Sequence, residues 1–139
     1  MKRRAAATLI LLTLTGCGNS QPKAVVPLKN HFDVSSDATR VFEKYDQQGG
    51  LGATVTVPRD ANDFVFQFDC TKSGGKIHVD LDSIGSGTLG CRASTSKSVM
   101  VLGLGDESRR GTSITFTIDA PGLSKWSVAV DARNTTSGD

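Results

Sequence analysis

Apolar and polar residues alternate along most of the chain from Leu51 onward. A period of two places alternate side chains on opposite faces of a β-strand. Clusters of glycine, proline, aspartate, asparagine and serine separate the alternating runs, and these residues favour turns. One such cluster is Gly85-Ser86-Gly87. The predicted strands are 53–57, 63–70, 76–82, 88–92, 98–104, 113–119 and 125–131.

Residues 38–47 fit two kinds of element. Asp37 could cap a short helix with Val41 and Tyr45 on one face, and Gly49-Gly50 would end it. The run 40–45 also alternates as a strand. We favour the strand, because a helix of about ten residues is marginal and every downstream element is β.

Four of the alternating runs predict the core. Each has one apolar face separated by polar residues, which is typical of two sheets packed on one face each. The fold class is therefore all-β, an antiparallel β-sandwich of about 7–8 short strands. The predicted core residues are Phe64, Phe66, Phe68, Cys70, Ile77, Val79, Leu81, Ile114, Phe116, Ile118, Trp126, Val128 and Val130.

The start of the chain has the layout of an export signal. Lys2, Arg3 and Arg4 precede an apolar run of about ten residues, roughly half of what a membrane-spanning helix requires. The stretch Leu14-Thr15-Gly16-Cys17 resembles the lipobox of bacterial lipoproteins. That resemblance implies cleavage before Cys17 and a diacylglyceryl group on its thiol. The alternative is an ordinary secretory signal that ends in a cysteine by chance.

The predicted layout has four parts. They are a signal peptide (1–16), a lipidated N-terminus and tether (17–36), a sandwich domain (37–132) and a polar tail (133–139). The tether consists of small polar residues and prolines, which bury too little apolar surface to order themselves. Val25, Val26, Leu28 and Phe32 are its apolar exceptions, and their burial would require part of the segment to lie against the domain.

The chain has three cysteines, and two remain to pair with each other once Cys17 carries lipid. Cys70 and Cys91 remain in an oxidising compartment, which predicts a disulfide between them. It would close a loop of about 22 residues and stabilise the fold by about 3 kcal/mol. The alternative is a pair of free thiols for metal or redox chemistry, but a Cys-x-x-Cys spacing and a nearby histidine cluster are both missing.

Charge argues against some partners. The chain has 16 Lys and Arg against 14 Asp and Glu, and without Lys2, Arg3 and Arg4 the balance is 13 against 14, a net charge of −1. Such a surface has no electrostatic footprint for nucleic acid and no polybasic patch for anionic lipid. We therefore expect no nucleic-acid partner.

Catalytic residues are scarce. Nucleophilic catalysis needs a histidine oriented by a third group, and the two histidines are His31, in the tether, and His78. No Gly-x-Ser-x-Gly elbow occurs. We expect no enzyme activity and no cofactor.

Four sets of residues are weak binding candidates. His78, Asp80 and Asp82 alternate along one strand face, but a flat face supplies few oxygens for a cation, so a solvated outer face is favoured. Asp60, Asn62 and Asp63 could bind calcium, although a plain turn needs the same residues. Arg109-Arg110 indicates a solvated turn or a grip on an anionic partner. Trp126 is favoured as a core residue, with a sugar-stacking platform as the alternative.

The mature chain resembles a type of small actinobacterial lipoprotein with a lipobox, a tether and a disulfide-containing β-sandwich. The matching residues are Phe68-Asp69-Cys70, Gly74-Gly75, Cys91 and Trp126-Ser127-Val128. The resemblance implies a fold and an extracytoplasmic membrane location, and no site residue can be transferred from it. We expect a non-catalytic binding or structural module of the cell envelope, with a protein partner favoured. A glycan- or metal-binding lipoprotein is the alternative, and an envelope hydrolase ranks third.

Overall fold

The eight strands of the domain lie within the part of the chain that the computed structural model describes, residues 32–70, 74–92, 97–123 and 125–135. The predicted signal peptide, Cys17, the tether up to His31 and the last residues of the tail lie outside the described residues. A single 3-10 turn, Glu107–Arg109, accompanies the strands there. The strands are β1 Ala38–Gln47, β2 Leu51–Thr56, β3 Asp63–Cys70, β4 Lys76–Leu81, β5 Gly85–Gly90, β6 Ser98–Gly103, β7 Ser113–Asp119 and β8 Trp126–Arg133.

Two four-stranded antiparallel sheets form the domain. Sheet A has the order β1-β8-β3-β6 and sheet B the order β2-β7-β4-β5. The strands β1 and β2 lie next to each other at one side of the sandwich, and β5 and β6 at the other. The predicted all-β sandwich is confirmed. Within the described residues, no helix has the length and hydropathy needed to cross a membrane.

The predicted strands differ from the observed ones mainly at one turn. Residues 38–47 form a strand, as favoured over the helix, and β3 and β7 have the predicted bounds. The prediction of a turn at 85–87 and a strand at 88–92 was wrong, since β5 spans Gly85–Gly90. Leu81 pairs with Gly85, so the turn is Asp82–Ile84, with Ser83 in the left-handed region at φ 60°.

All the predicted core residues are buried between the two sheets. The ring of Phe66 in sheet A meets the edge of Phe116 in sheet B, with centroids 5.5 Å apart. Phe42 from β1 reaches the same ring at 5.3 Å. Large rings that meet edge to face across the sandwich hold the sheets together by dispersion and by burial of apolar area.

The predicted disulfide between Cys70 and Cys91 is confirmed. It joins the end of β3 in sheet A to the residue after β5 in sheet B, and both half-cystines are buried. The adjoining Gly75 must be glycine, because a Cβ there would lie 2.2 Å from Cδ2 of Leu123. The cross-link therefore ties the two sheets together at a tightly packed end of the sandwich.

The outer faces of the two sheets differ in burial. Residues on the outer face of β7 are exposed, as expected for a sheet with one solvated side. In β8, however, Ser127, Ala129 and Asp131 on the outer face are buried as fully as the core-facing residues. Residues 32–35, which we term the strap, cross the outside of sheet A, where Arg40 and Gln67 hold the Phe32 and Asp33 carbonyls beside Asp131.

The domain extends beyond the predicted bounds 37–132. Phe32 is 8% exposed, so the strap belongs to the domain although the tether was predicted to run to residue 36. At the other end, β8 continues to Arg133, and the Asn134 backbone N–H donates to the carbonyl of Asp37 at 2.9 Å. The polar tail therefore begins later than residue 133.

Candidate binding surfaces

The strand β4 carries the predicted metal candidates in separate positions. Nδ1 of His78 lies 2.8 Å from the Thr88 hydroxyl, Asp80 is exposed further along the strand, and Asp82 lies beyond its end in the turn. No three His, Cys, Asp or Glu side chains within the described ranges form a group that could hold a metal ion. The structure does not bring these three residues together as ligands.

The turn residues Asn62 and Asp63 bind other protein groups. Asp63 accepts two hydrogen bonds from Arg133, at 3.0 and 2.9 Å, in a bidentate pair. Asn62 donates to the Thr135 carbonyl at 3.0 Å and accepts from Arg110. The Asp63 carboxylate binds the end of β8, and the Asn62 amide links the residues after β8 to Arg110. Both side chains therefore have a structural use and are not arranged around a cation.

Trp126 is a core residue. Its side chain is fully buried against Phe68, with ring centroids 6.2 Å apart, and its indole N–H donates to the Gly49 carbonyl at 3.1 Å. The alternative of a sugar-stacking platform was wrong, because a buried ring offers no face to a ligand. The first residue of β8 is needed to fill the end of the sandwich next to the disulfide.

A polar cleft of about 320 Å³ lies where the β4–β5 turn meets the loop before β7. Arg109 donates to the Ser83 carbonyl at 2.9 Å and so holds the two loops together. The Asp106 side chain accepts from the Ser108 backbone N–H at 2.9 Å, which lowers the pKa of that carboxyl. The cleft is lined by hydroxyl and carboxylate side chains, among them Asp82, Ser83, Asp106, Ser108, Thr112 and Thr115.

The covered half of the outer face of sheet A is built around Asp131. Its side chain, 3% exposed, pairs with the Arg40 guanidinium and accepts from the Gln67 amide at 2.8 Å. Arg40 also donates to the Phe32 carbonyl at 3.0 Å, and Gln67 donates to the Asp33 carbonyl at 2.9 Å. The same two side chains therefore satisfy the buried carboxylate and hold the strap.

The ionisable groups around Arg40 shift one another's pKa values. Burial lowers the pKa of Arg40, but hydrogen bonds and charge from Asp131 and Glu43 outweigh burial and leave it raised. The Tyr45 hydroxyl donates to the Glu43 carboxylate at 2.7 Å, and this hydrogen bond together with Arg40 lowers the pKa of Glu43. Burial and the Glu43 carboxylate raise the pKa of Tyr45. All three groups favour the charge states present near neutral pH.

The other half of this face is open and apolar. Val99 and Val101 on β6 are 55% and 48% exposed, and Val65 of β3 is half-buried beside Val101, with which it pairs. We term these three valines the β6 patch. A groove of about 240 Å³ lies between the patch and the strap, lined in part by Asp33, Ser35, Ala38 and Gln67.

The strand under this patch is a regular edge strand. β6 pairs with β3 from Ser98 opposite Phe68 to Gly103 opposite Asp63 without a register shift. It has no other strand partner among the described residues, and none of its six residues is charged. Nothing in the sequence pattern singles out this surface. The run Ser98–Leu104 indicates a strand, but not its place at the edge of a sheet.

Comparison of the chain with protein-family models, curated proteins and solved structures finds no match in any of the three.

Proposed function

We propose that this chain is a lipid-anchored module on the extracytoplasmic face of the cell membrane, and that it acts by binding a protein. The observation that carries the proposal is the β6 patch, an exposed apolar surface on an uncharged edge strand. The proposed role is non-catalytic, as binding partner or structural element of the envelope.

An open edge strand offers two things to a protein partner. Its unpaired backbone N–H and C=O groups can continue the sheet, and its outward side chains can pack against those of an added strand. Soluble proteins usually blunt such an edge with lysine, proline or a bulge. β6 contains none of these, which supports a role in recognition.

The proposed anchor is supported by the sequence around Cys17. A basic stretch, an apolar run of signal-peptide length and all four lipobox positions occur in the right order. Two acyl chains, at about 0.8 kcal/mol per buried methylene, give the stable membrane residence that one chain does not.

Labelling with a palmitate analogue tests the anchor. Cells that express the full chain should incorporate label, and the Cys17→Ser variant should incorporate none. Equal label in both would overturn the lipid anchor.

Site-specific photo-cross-linking in membranes tests the protein partner. A photoreactive residue at position 99 should give a discrete protein adduct. The same residue at position 117, on the exposed outer face of sheet B, should give none. Absence of an adduct at position 99, or equal adducts at both positions, would overturn the proposal.

The polar cleft favours a second candidate function, binding of a cell-wall glycan. Its hydroxyl and carboxylate lining with Arg109 at the wall suits a polar ligand. Titration of the protein with soluble cell-wall fragments should raise its Tm, and Asp82→Asn should reduce the rise while Asp80→Asn, outside the cleft, does not. An unchanged Tm with every fragment would remove this candidate.

A further inference from the structure

We infer that the β6 patch is the pairing surface for a second copy of this chain, with the two β6 strands antiparallel across a two-fold axis at Met100. This inference rests on the proposed function, since it names the protein partner of the same surface. It predicts an eight-stranded sheet that runs continuously through both copies.

The residues of β6 are self-complementary about Met100. Valines occupy the positions before and after it, Val99 and Val101, and both point to the outer face. In an antiparallel pair centred on Met100, Val99 of one copy lies opposite Val101 of the other. Apolar side chains that lie directly opposite each other on two paired strands are in contact and bury apolar surface. A two-fold interface requires such a surface, because the same patch must fit itself.

Charge at the ends of β6 also fits antiparallel self-pairing. Lys97 precedes the strand, and Gly103 at its other end pairs with Asp63. Across the two-fold axis Lys97 lies opposite the uncharged Gly103 of the second copy, whose neighbour Asp63 is already paired with Arg133. A parallel arrangement would instead place Lys97 next to Lys97. The uncharged strand between these ends places no like charges opposite each other.

The position of the strap suits two anchors in one membrane. Opposed residues of an antiparallel pair lie on the same face of the sheet. The outer faces of both sheets A, and therefore both Phe32 residues, lie on the same side of the joined sheet. The 14 residues between Cys17 and Phe32 give a span of up to about 50 Å when extended. Both lipid groups can therefore reach the same bilayer.

The contact is small, which points to association on the membrane. Pairing of two six-residue strands and a few valines is less than the roughly 800 Å² per partner of a standard interface. Anchoring in one plane raises the effective concentration of the copies and compensates for a weak contact. We therefore expect pairs in membranes at expression levels where the chain without its anchor is monomeric.

Disulfide trapping of the full-length, anchored chain tests this register. Two differently tagged copies, one with Val99→Cys and the other with Val101→Cys, are expressed together, and the membranes are oxidised mildly with copper phenanthroline. Directly opposed positions have Cβ atoms about 4.5–5.5 Å apart, within reach of a disulfide. The matched control is Thr115→Cys with Thr117→Cys on β7, which have the same spacing and are exposed on the other sheet.

We expect a 99–101 dimer at higher yield than the 99–99 or 101–101 dimers, and no dimer from the β7 control. Val99→Lys in the copy that carries Val101→Cys should abolish trapping, because it charges the strand. Equal dimer yields from the β6 and β7 cysteine pairs would overturn the pairing. So would the absence of a 99–101 dimer in membranes where palmitate labelling shows that the chain is anchored, and this result would leave the lipid anchor intact. An adduct to a different protein from position 99 would also overturn it, while upholding the broader proposal of a protein partner.

Discussion

The two edge strands of sheet A differ in how well they are protected against the addition of a further strand. β1 carries four charged residues and two register shifts against β8, and Phe32 stacks on its Tyr45 with ring centroids 6.2 Å apart. β6 has no charged residue, a regular register and two exposed valines. Charges and bulges discourage the addition of a further strand, and β6 lacks both. The domain is thus closed at one edge of sheet A and open at the other.

The strongest test of the closed edge is Arg40→Met. Asp131 would lose its cation while remaining buried under the strap, and a buried carboxylate without its partner costs about 3–5 kcal/mol. Urea unfolding of the full chain would measure the loss. The double variant Arg40→Met with Asp131→Leu should recover part of it, because no unpaired charge remains. The control is Arg133→Met, because its partner Asp63 is more exposed, at 12%. If Arg40→Met lowers the unfolding free energy no more than Arg133→Met does, the central role of Asp131 is contradicted.

Truncation of the Phe32 side chain in the strap should have the next largest effect on stability. Phe32→Ala removes a buried ring from the outer face of β1 and should destabilise the domain by about 1.5–3 kcal/mol. The control is Val34→Ala in the same segment, where the side chain is 44% exposed and a change within about 0.5 kcal/mol is expected. Similar Tm values for the two variants would show that the strap contributes little packing.

The pH dependence of the closed edge follows from Glu43 and Tyr45. The folded pKa of Glu43 is below its ordinary value of 4.5, so its contribution is complete above that value and is lost as pH falls through the folded pKa. The pKa of Tyr45 is above its ordinary value of 10.0, so its contribution is complete below that value and is lost as pH rises further. Both effects should be no more than about 1 kcal/mol, because the groups are partly exposed.

Unfolding free energies of Glu43→Gln and the wild type, measured from acid to alkaline pH, would check this prediction. The difference in unfolding free energy between the wild type and Glu43→Gln should be largest between pH 4.5 and pH 10.0, the ordinary pKa values of Glu43 and Tyr45. It should shrink at lower and at higher pH. A difference that stays constant at all pH values would contradict the role of the Glu43 charge.

The smallest effect should come from the open edge. Val99→Thr and Val101→Thr should each change the unfolding free energy of the dilute chain by less than about 0.5 kcal/mol, since both side chains are about half exposed. A loss above about 1 kcal/mol in dilute solution would mean that these valines already pack within one copy, and that the edge is not open.

The alternation of apolar residues predicted the core well because the period of a strand decides which side chains face the opposite sheet. Each apolar face of β3, β4, β7 and β8 is buried as expected. Composition misled at Gly85-Ser86-Gly87, where glycine indicated a turn. Gly87 lies instead inside β5, where the absence of a side chain leaves room for the end of the Met100 side chain, since a Cβ would lie 2.8 Å from its sulfur.

The binding surfaces depend on strand order, which alternation does not contain. Whether Val99 is exposed depends on β6 being at the edge of sheet A, and Asp131 is buried because β8 lies between β1 and β3 under the strap. The polar cleft similarly requires the β4–β5 turn and the loop before β7 to meet in space. The resemblance to small lipoproteins implied no such surface.

In an anchored chain, the strap also determines how the domain bears mechanical load. A pull through the lipid enters the domain at Phe32, whose carbonyl is held by Arg40, and then reaches Asp33, held by Gln67. These contacts carry the force before the pairing of Ala38 with Arg133, the first step of the β1–β8 ladder. Force on the proposed anchor would therefore load β1 and β3 together at the Asp131 cluster before it reached the β1–β8 ladder.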